Sequence, residues 1–402
     1  MKFIGKITIL FTLFFIGLNG ISLVNAQDTL CPLSINGKCI NPLITAVPFL
    51  RIVPDARAAA LGDGGIGLSA DPNAMHVNAS KLAFAENKLA VAASYSPWLR
   101  SLGLTDVYLA YLSGYLKLDK VQTIGASLRY FSLGNITFTD DQGNSIRPGR
   151  PNEYELAVAY ARALSSNLSV GITGKFIYSN LAAGLVVEST DIFAGTAFAA
   201  DLSMTYKKKL KMGETKSELT IGGAITNIGS KISYTKSINK DYLPANLGIG
   251  ANWEFSLDNF NSLSIICDLN KLLVPTPTNV DANNDGRPDY RDYSPISAIF
   301  KSFGDAPGGF AEEMREISIS SGLEYWYDKQ FALRAGYYYE DPTKGNRQFL
   351  TAGLGIKYNV FSLNFSYLVP TSNQRNPLDN TLRFTFIFDV NSFKTEELPP
   401  AE

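Results

Sequence analysis

"VFSLNFSYL", residues 360–368, decides how this chain folds. Phe361, Leu363, Phe365 and Tyr367 alternate with Ser362, Asn364 and Ser366. Successive side chains of an extended strand point to opposite faces, so one face here is apolar and the other polar. "LRFTFIFDV" (382–390) repeats the pattern, with Leu382, Phe384, Phe386 and Phe388 set against Arg383, Thr385 and Asp389. Further back, "QFALRAGYYYE" (330–340) puts Phe331, Leu333, Ala335, Tyr337 and Tyr339 on one face, and "KLAVAASY" (88–95) does so with Leu89, Val91, Ala93 and Tyr95.

A soluble β-sandwich alternates in the same way. Three features favour a barrel in a membrane. The segments run to about 10 residues or more, as a tilted membrane strand requires. Tyr325-Trp326-Tyr327 and Tyr337-Tyr338-Tyr339 crowd segment ends, where an aromatic girdle sits. Connections alternate between short (119–120, 165–167, 258–261, 328–329, 359) and long (134–151, 181–196, 229–243, 274–312, 371–379).

The expected strands are 88–97, 106–118, 121–133, 153–164, 167–180, 197–210, 217–228, 245–257, 261–273, 313–327, 330–340, 347–358, 361–370 and 380–390. The fold class is therefore all-β: a transmembrane antiparallel β-barrel of about 14 strands, an even number that lets the sheet close. Closure matters because an open edge in lipid leaves backbone N–H and C=O groups unpaired. With the first strand entered from the periplasm, long connections face outward. The longest, 274–312, is then extracellular.

Composition agrees. Charged residues make up 18%, below the ~25% of ordinary soluble domains. Aromatics reach 12%, with 24 Phe, 20 Tyr, 33 Gly and one His, a balance suited to a barrel rather than an enzyme. The net charge of −1 gives no reason to expect nucleic acid as a partner.

Met1, Lys2 and Lys6, the apolar run Ile7–Leu18 and Val24-Asn25-Ala26 form a Sec-type signal peptide over 1–26. No later apolar run approaches the roughly 20 residues of a membrane helix. Residues 27–87 do not alternate. "DARAAALGDGGIGLSADPNAMHVNASKLAF" (55–84) mixes an Ala cluster, a Gly-rich bend and small polar residues, and is too apolar for a free tail. It is expected inside the lumen as a plug. The barrel then spans 88–390 and a periplasmic tail 391–402, with both termini periplasmic.

Cys31 and Cys39 bracket "PLSINGK" and form a disulfide in an oxidising periplasm, two free thiols being the alternative. Cys31 lies too far from Gln27 to be a lipid-bearing first residue. Cys267 reads as a small packed side chain in a strand.

"DANNDGRPDYRD" (281–292) has the spacing of a calcium loop. Asp281, Asn283 and Asp285 alternate before Gly286, the Arg287 carbonyl would follow, and Asp289 and Asp292 take the ninth and twelfth positions. Asp292 replaces the usual bidentate Glu, and Pro288 the usual apolar residue. The alternative is a solvated turn rich in Asp, Asn and Gly. Calcium is the only cofactor suggested, and none is required.

"GDGGIG" (62–67) matches G-x-G-x-x-G but lacks the flanking strand and helix of a dinucleotide site, so close backbone packing in the plug is the better reading. His76 is the sole histidine, and no catalytic constellation can be assembled. Glu312-Glu313 read as solvated, Lys207–Lys211 as decoration of a periplasmic turn, and Asn78-Ala79-Ser80 as a chance sequon. In the long loop, Ile296, Ile299, Phe300 and Phe303 fall at helical spacing. The helix either folds its apolar face over the barrel mouth or presents that face to a partner. Phe300, Phe303 and Phe310 are the candidate partner-binding residues.

"VPFLRIVPDARAAALGDGGIGLSADPNAMHVNASKLAF" (47–84), "KLLVPTPTN" (271–279) and "SFGDAPGGFAEEMREI" (302–317) closely resemble the PorV (LptO) family of the type IX secretion system in Bacteroidetes. Ala79 departs from the family's Asn-Pro at that place. The resemblance implies a FadL-like plugged barrel in the outer membrane with no enzymatic activity. It implies as partners a SprA-type translocon, a PorU-type sortase, cargo proteins with a C-terminal secretion signal, and outer-membrane lipid. The alternative is a FadL-type channel for hydrophobic small molecules.

Overall fold

The computed structural model describes residues 34–390 apart from 36, 101–102, 141, 188–189, 213–214, 237–239 and 373–379. The expected signal peptide (1–26), the tail (391–402) and Cys31 lie outside the described residues. Cys39 is disulfide-bonded.

Fourteen strands form one closed barrel: β1 Leu89–Pro97, β2 Val107–Lys117, β3 Gln122–Leu133, β4 Asn152–Ala163, β5 Leu168–Asn180, β6 Gly195–Met212, β7 Thr215–Gly229, β8 Asn246–Ser256, β9 Asn261–Leu272, β10 Ile317–Tyr327, β11 Phe331–Tyr339, β12 Gln348–Tyr358, β13 Phe361–Pro370 and β14 Leu382–Asp389. Each pairs antiparallel with the next, and β14 closes on β1 from Phe384↔Tyr95 to Asp389↔Ala90. The expected strands all occur, within a few residues at each end. β10 begins later than expected because residues 310–315 wind into a helical turn instead.

The period-two pattern sorts side chains as chemistry requires. Phe361, Leu363 and Tyr367 face outward, while Asn364, Ser366, Arg383 and Thr385 are buried in the lumen. Among the described residues no helix is long and apolar enough to cross a membrane; the strands cross instead. Cys267 is not packed: it faces outward on β9 between Ile265 and Leu269, while its neighbours Ile266 and Asp268 point in. In "SIICDL" Ser264, Ile266 and Asp268 share the lumen face, which leaves Cys267 with Ile265 and Leu269 on the apolar outer face.

The segment before β1 threads the whole lumen. Near the long loops, the Asn41 N–H donates to Thr343 O at 2.9 Å and the Ala46 N–H to Tyr242 O at 2.9 Å. Val47, Phe49 and Ile52 then pack against Trp98, Leu109, Phe131 and Tyr338 at the long-loop end. Leu61 and Ala58 meet Ile266 halfway down. Met75, Leu82 and Ala85 pack on Tyr115, Ala159 and Ala161 at the short-turn end. The first described residues and Asp389 therefore lie at opposite ends of the barrel, which departs from the expectation of both termini on the periplasmic side, because the plug runs the length of the lumen before β1 begins.

Polar locks fix this plug. The amides of "GDGGIG" are taken up by the barrel wall. The Gly65 and Ile66 amides donate to the Asp268 carboxylate on β9, at 2.6 and 2.8 Å. Arg57 pairs with Glu324 at 2.7 Å, and Arg334 shares that carboxylate at 2.6 Å. Around the opposite wall, Arg129, Glu155, Lys175 and Asp201 stand on successive strands with alternating charge. Lys175 meets Asp201 at 2.7 Å, and Arg129 donates to Leu50 O at 2.9 Å. Paired buried charges hold register, whereas an unpaired one would be costly; Glu155 is the most loosely held of the four, 3.9 Å from both Arg129 and Lys175 with its Oε2 unbonded. Asn78 is buried and bonded to Thr205 at 2.9 Å, so the sequon is inaccessible.

Candidate functional site at the long-loop mouth

The connection from β9 to β10 crosses the mouth of the barrel. Leu272, Val274, Ala298 and Tyr242 bury a small apolar cluster there, with Leu43 of the plug and Tyr293 packed against it. Helix α1 (Pro295–Lys301) follows. Ser294 caps it, its hydroxyl accepting the Ser297 N–H at 3.2 Å, and Pro295 opens the first turn. Two turns do not hold themselves together in water, so packing must carry this helix.

It packs with its smallest face. Ala298 is buried, whereas Ile296 and Phe300 look away with 64% and 74% of their surface exposed. Phe303 lies beyond the helix end and is exposed. Phe310 opens a second short helix, α2 (Phe310–Arg315), and is also exposed. The expected apolar face thus exists and is turned outward. Phe300, Phe303, Phe310 and Met314 all stand exposed on this one loop.

What fixes the loop is ionic. Glu312 and Glu313 are not solvated: they are 3% and 4% exposed. Lys344 Nζ, from the β11–β12 connection, lies 2.6 Å from Glu312 and 2.9 Å from Glu316. Lys271 Nζ, at the end of β9, lies 2.8 Å from Glu313 and 2.5 Å from Glu316. The Thr276 hydroxyl donates to Glu316 at 2.9 Å, and the Ala306 N–H to Glu313 at 2.9 Å. Asp305 sits beside them, accepting the Thr276 N–H at 3.1 Å. Burial, with Glu313 and Glu316 nearby, pushes the Asp305 carboxyl up to about 7. Two lysines therefore bind three carboxylates, and Asp305 is a fourth acid beside them whose ionisation burial and the neighbouring glutamates disfavour.

The 281–292 loop lies on the same connection. Asp281 accepts the Asp285 and Gly286 amides at 3.2 and 2.9 Å, and Asp289 accepts the Ala282 N–H at 3.1 Å. Arg287 places its guanidinium 3.0 Å from both Asp285 and Asp292. Asn283 donates toward both of those carboxylates. Among the described residues no group of three or more metal-ligating side chains is gathered as for a metal ion. The cation between these carboxylates is the chain's own arginine.

Of the candidate residues, the structure brings Phe300, Phe303 and Phe310 onto one connection and draws Asp285, Asn283 and Asp292 around Arg287. Sequence reasoning missed Lys271, Lys344, Thr276 and Asn41. Their only signal was the density of acids in "DAPGGFAEEMRE", which demands buried cations without saying which.

A family model for "Type IX secretion system protein PorV" matches residues 36–279, more than half of the chain. No curated protein matches it. Among solved structures, the Pseudomonas putida toluene transporter TodX is similar at 11% identity and a TM-score of 0.45, covering 87% of this chain and 97% of that one. The Ralstonia pickettii toluene transporter TbuX is similar at 12% identity and a TM-score of 0.44, covering 83% and 96%. A Pseudomonas aeruginosa FadL homologue is similar at 10% identity and a TM-score of 0.40, covering 84% and 99%.

Proposed function

The chain belongs to the PorV family, and from that premise, which makes it an outer-membrane β-barrel subunit of the type IX secretion system, we propose how it works. It is a non-enzymatic carrier that holds cargo bearing a C-terminal secretion signal. It receives that cargo from a SprA-type translocon and presents it to a PorU-type sortase at the cell surface. The long loops face outward, the short turns face the periplasm, and the lipid-facing wall meets the translocon.

The observation that carries this reading is the outward apolar set Ile296, Phe300, Phe303 and Phe310 on a loop clamped by Lys271 and Lys344. Exposed aromatics on a fixed support suit protein binding, because little side-chain or loop entropy remains to be lost. A channel for hydrophobic small molecules finds less support. A cavity of about 840 Å³ at the short-turn end is lined by the charged Arg57, Lys81, Glu324 and Arg334 together with Phe84, Trp326 and Ile387, a mixed wall less suited to a hydrophobic solute than a wholly apolar one.

A deletion strain complemented with Phe300→Ser/Phe303→Ser/Phe310→Ser tests this. Surface delivery of signal-bearing proteins should fail while the barrel itself reaches the membrane. Normal delivery, with loss only of growth on a hydrophobic nutrient in the deletion strain, would overturn the reading. Calcium in the 281–292 loop is a second proposal, in which the ion stiffens the loop after displacing Arg287.

A further inference from the structure

The strands of this barrel do not all stop at one level. β6 runs to Met212, but its pairing with β5 ends at Tyr206↔Leu168. One more position is held by Asn167: the Lys207 N–H donates to Asn167 O at 2.7 Å, and Asn167 Nδ2 donates to Lys207 O at 2.6 Å. From Lys208 to Met212 the strand keeps β7 on one side, Lys208↔Leu219 through Met212↔Thr215. On the other side no strand pairs with it among the described residues. "KKKLK" is thus strand rather than turn. Antiparallel pairing alternates, so the N–H and C=O of Lys209 and Lys211 face the open side, as those of Lys207 face Asn167. Such an edge is a template for another extended chain.

Its charge selects which chain. The hairpin carries Lys207, Lys208, Lys209, Lys211 and Lys216, and among the described residues only Lys207 has a carboxylate partner, Glu218 at 2.8 Å. A basic edge repels its own copies. It does not suit a lipid surface either. By period two, Lys207, Lys209 and Lys211 share the lumen-side face and Lys208 alone faces the bilayer side. Lys207 and Lys216 line the mouth of the short-turn cavity, away from lipid.

We propose that the Lys208–Met212 edge of β6 takes an acidic, extended segment of a partner protein as an added strand. The site rests on strand register and charge. That this edge faces the periplasm, and so a periplasmic partner, is the one part that rests on the secretion reading above.

The full chain purified in detergent is titrated with a fluorescent synthetic peptide alternating Glu and Thr, and with a Lys/Thr counterpart. The Glu/Thr peptide should bind saturably, more weakly as salt rises, and the Lys/Thr peptide should not bind. Lys209→Pro removes an edge-facing N–H and leaves the β7 ladder intact. It should weaken binding about tenfold or more while melting like the parent. Amide exchange at Lys209 and Lys211 should slow when the Glu/Thr peptide is bound. Equal binding by Lys209→Pro, unchanged exchange at those amides, or no saturable binding would each overturn the proposal. Because the assay uses isolated protein, its failure leaves the secretion reading untouched, and loss of secretion in cells leaves this site untouched.

Discussion

Gly336 of β11 and Gly62 of the plug touch backbone to backbone: a Cβ on Gly336 would fall 2.1 Å from the Gly62 nitrogen. Gly62 itself has φ +68, and a Cβ there would meet Tyr337 O at 2.4 Å. Neither neighbour is a flexible side-chain tip, so nothing can move aside cheaply. Gly336→Ala should therefore lower stability by roughly 1–3 kcal/mol or push the plug off the wall. Gly174→Ala is the control, since a Cβ there meets nothing within 4 Å. Thermal unfolding in detergent reads both variants; equal midpoints would show that the plug is not seated on this wall.

Lys344 ties the long loop to the neighbouring connection through Glu312 and Glu316, and all three side chains are nearly buried. Removing one partner of a buried pair leaves the other charge stranded, at a cost of about 3 kcal/mol. Lys344→Ala should free the 273–316 connection, so that trypsin cuts it many times faster, with the barrel still resistant. Digestion at the parental rate would place the loop's order elsewhere.

The same loop should be more firmly held at mildly acidic pH. The Asp305 carboxyl is raised to about 7, so the closed loop keeps a proton that the open loop, with an ordinary carboxyl, has already lost. Closure is then fully favoured below the ordinary value and weakens as pH rises toward 7, after which the loss is complete. Protease protection should accordingly be greater near pH 5 than near pH 8. Asp305→Asn should flatten the profile; an unchanged slope in that variant would assign the effect to another group.

Residues 41–46 lie against the long loops, not the short turns. An epitope inserted after Gly37, at the tip of the hairpin Ser34–Ile35/Lys38–Cys39, should therefore be reached by antibody on intact cells. Staining only after permeabilisation would reverse the orientation of the barrel.

Arg287 competes with any calcium ion for Asp285 and Asp292. Calorimetry should find weak uptake by the parent chain and several-fold tighter uptake by Arg287→Ala, which keeps the backbone carbonyl. No heat from either protein would remove calcium from this loop.

The alternation of Phe361, Leu363, Phe365 and Tyr367 with polar residues determined the strands, their faces and the barrel, because period two is a property of local backbone geometry. Lumen filling was legible in the Ala- and Gly-rich run 55–84, which suits neither water nor lipid. Three things were not legible: that Asp268 would receive the Gly65 and Ile66 amides, that Lys344 would meet Glu312, and that β6 would outrun β5. Each joins residues distant in the chain, or depends on where a neighbouring strand happens to stop. Local periodicity carries no information about such partners. They were decided only when fourteen strands closed and brought the loops, the plug and the wall within hydrogen-bonding distance.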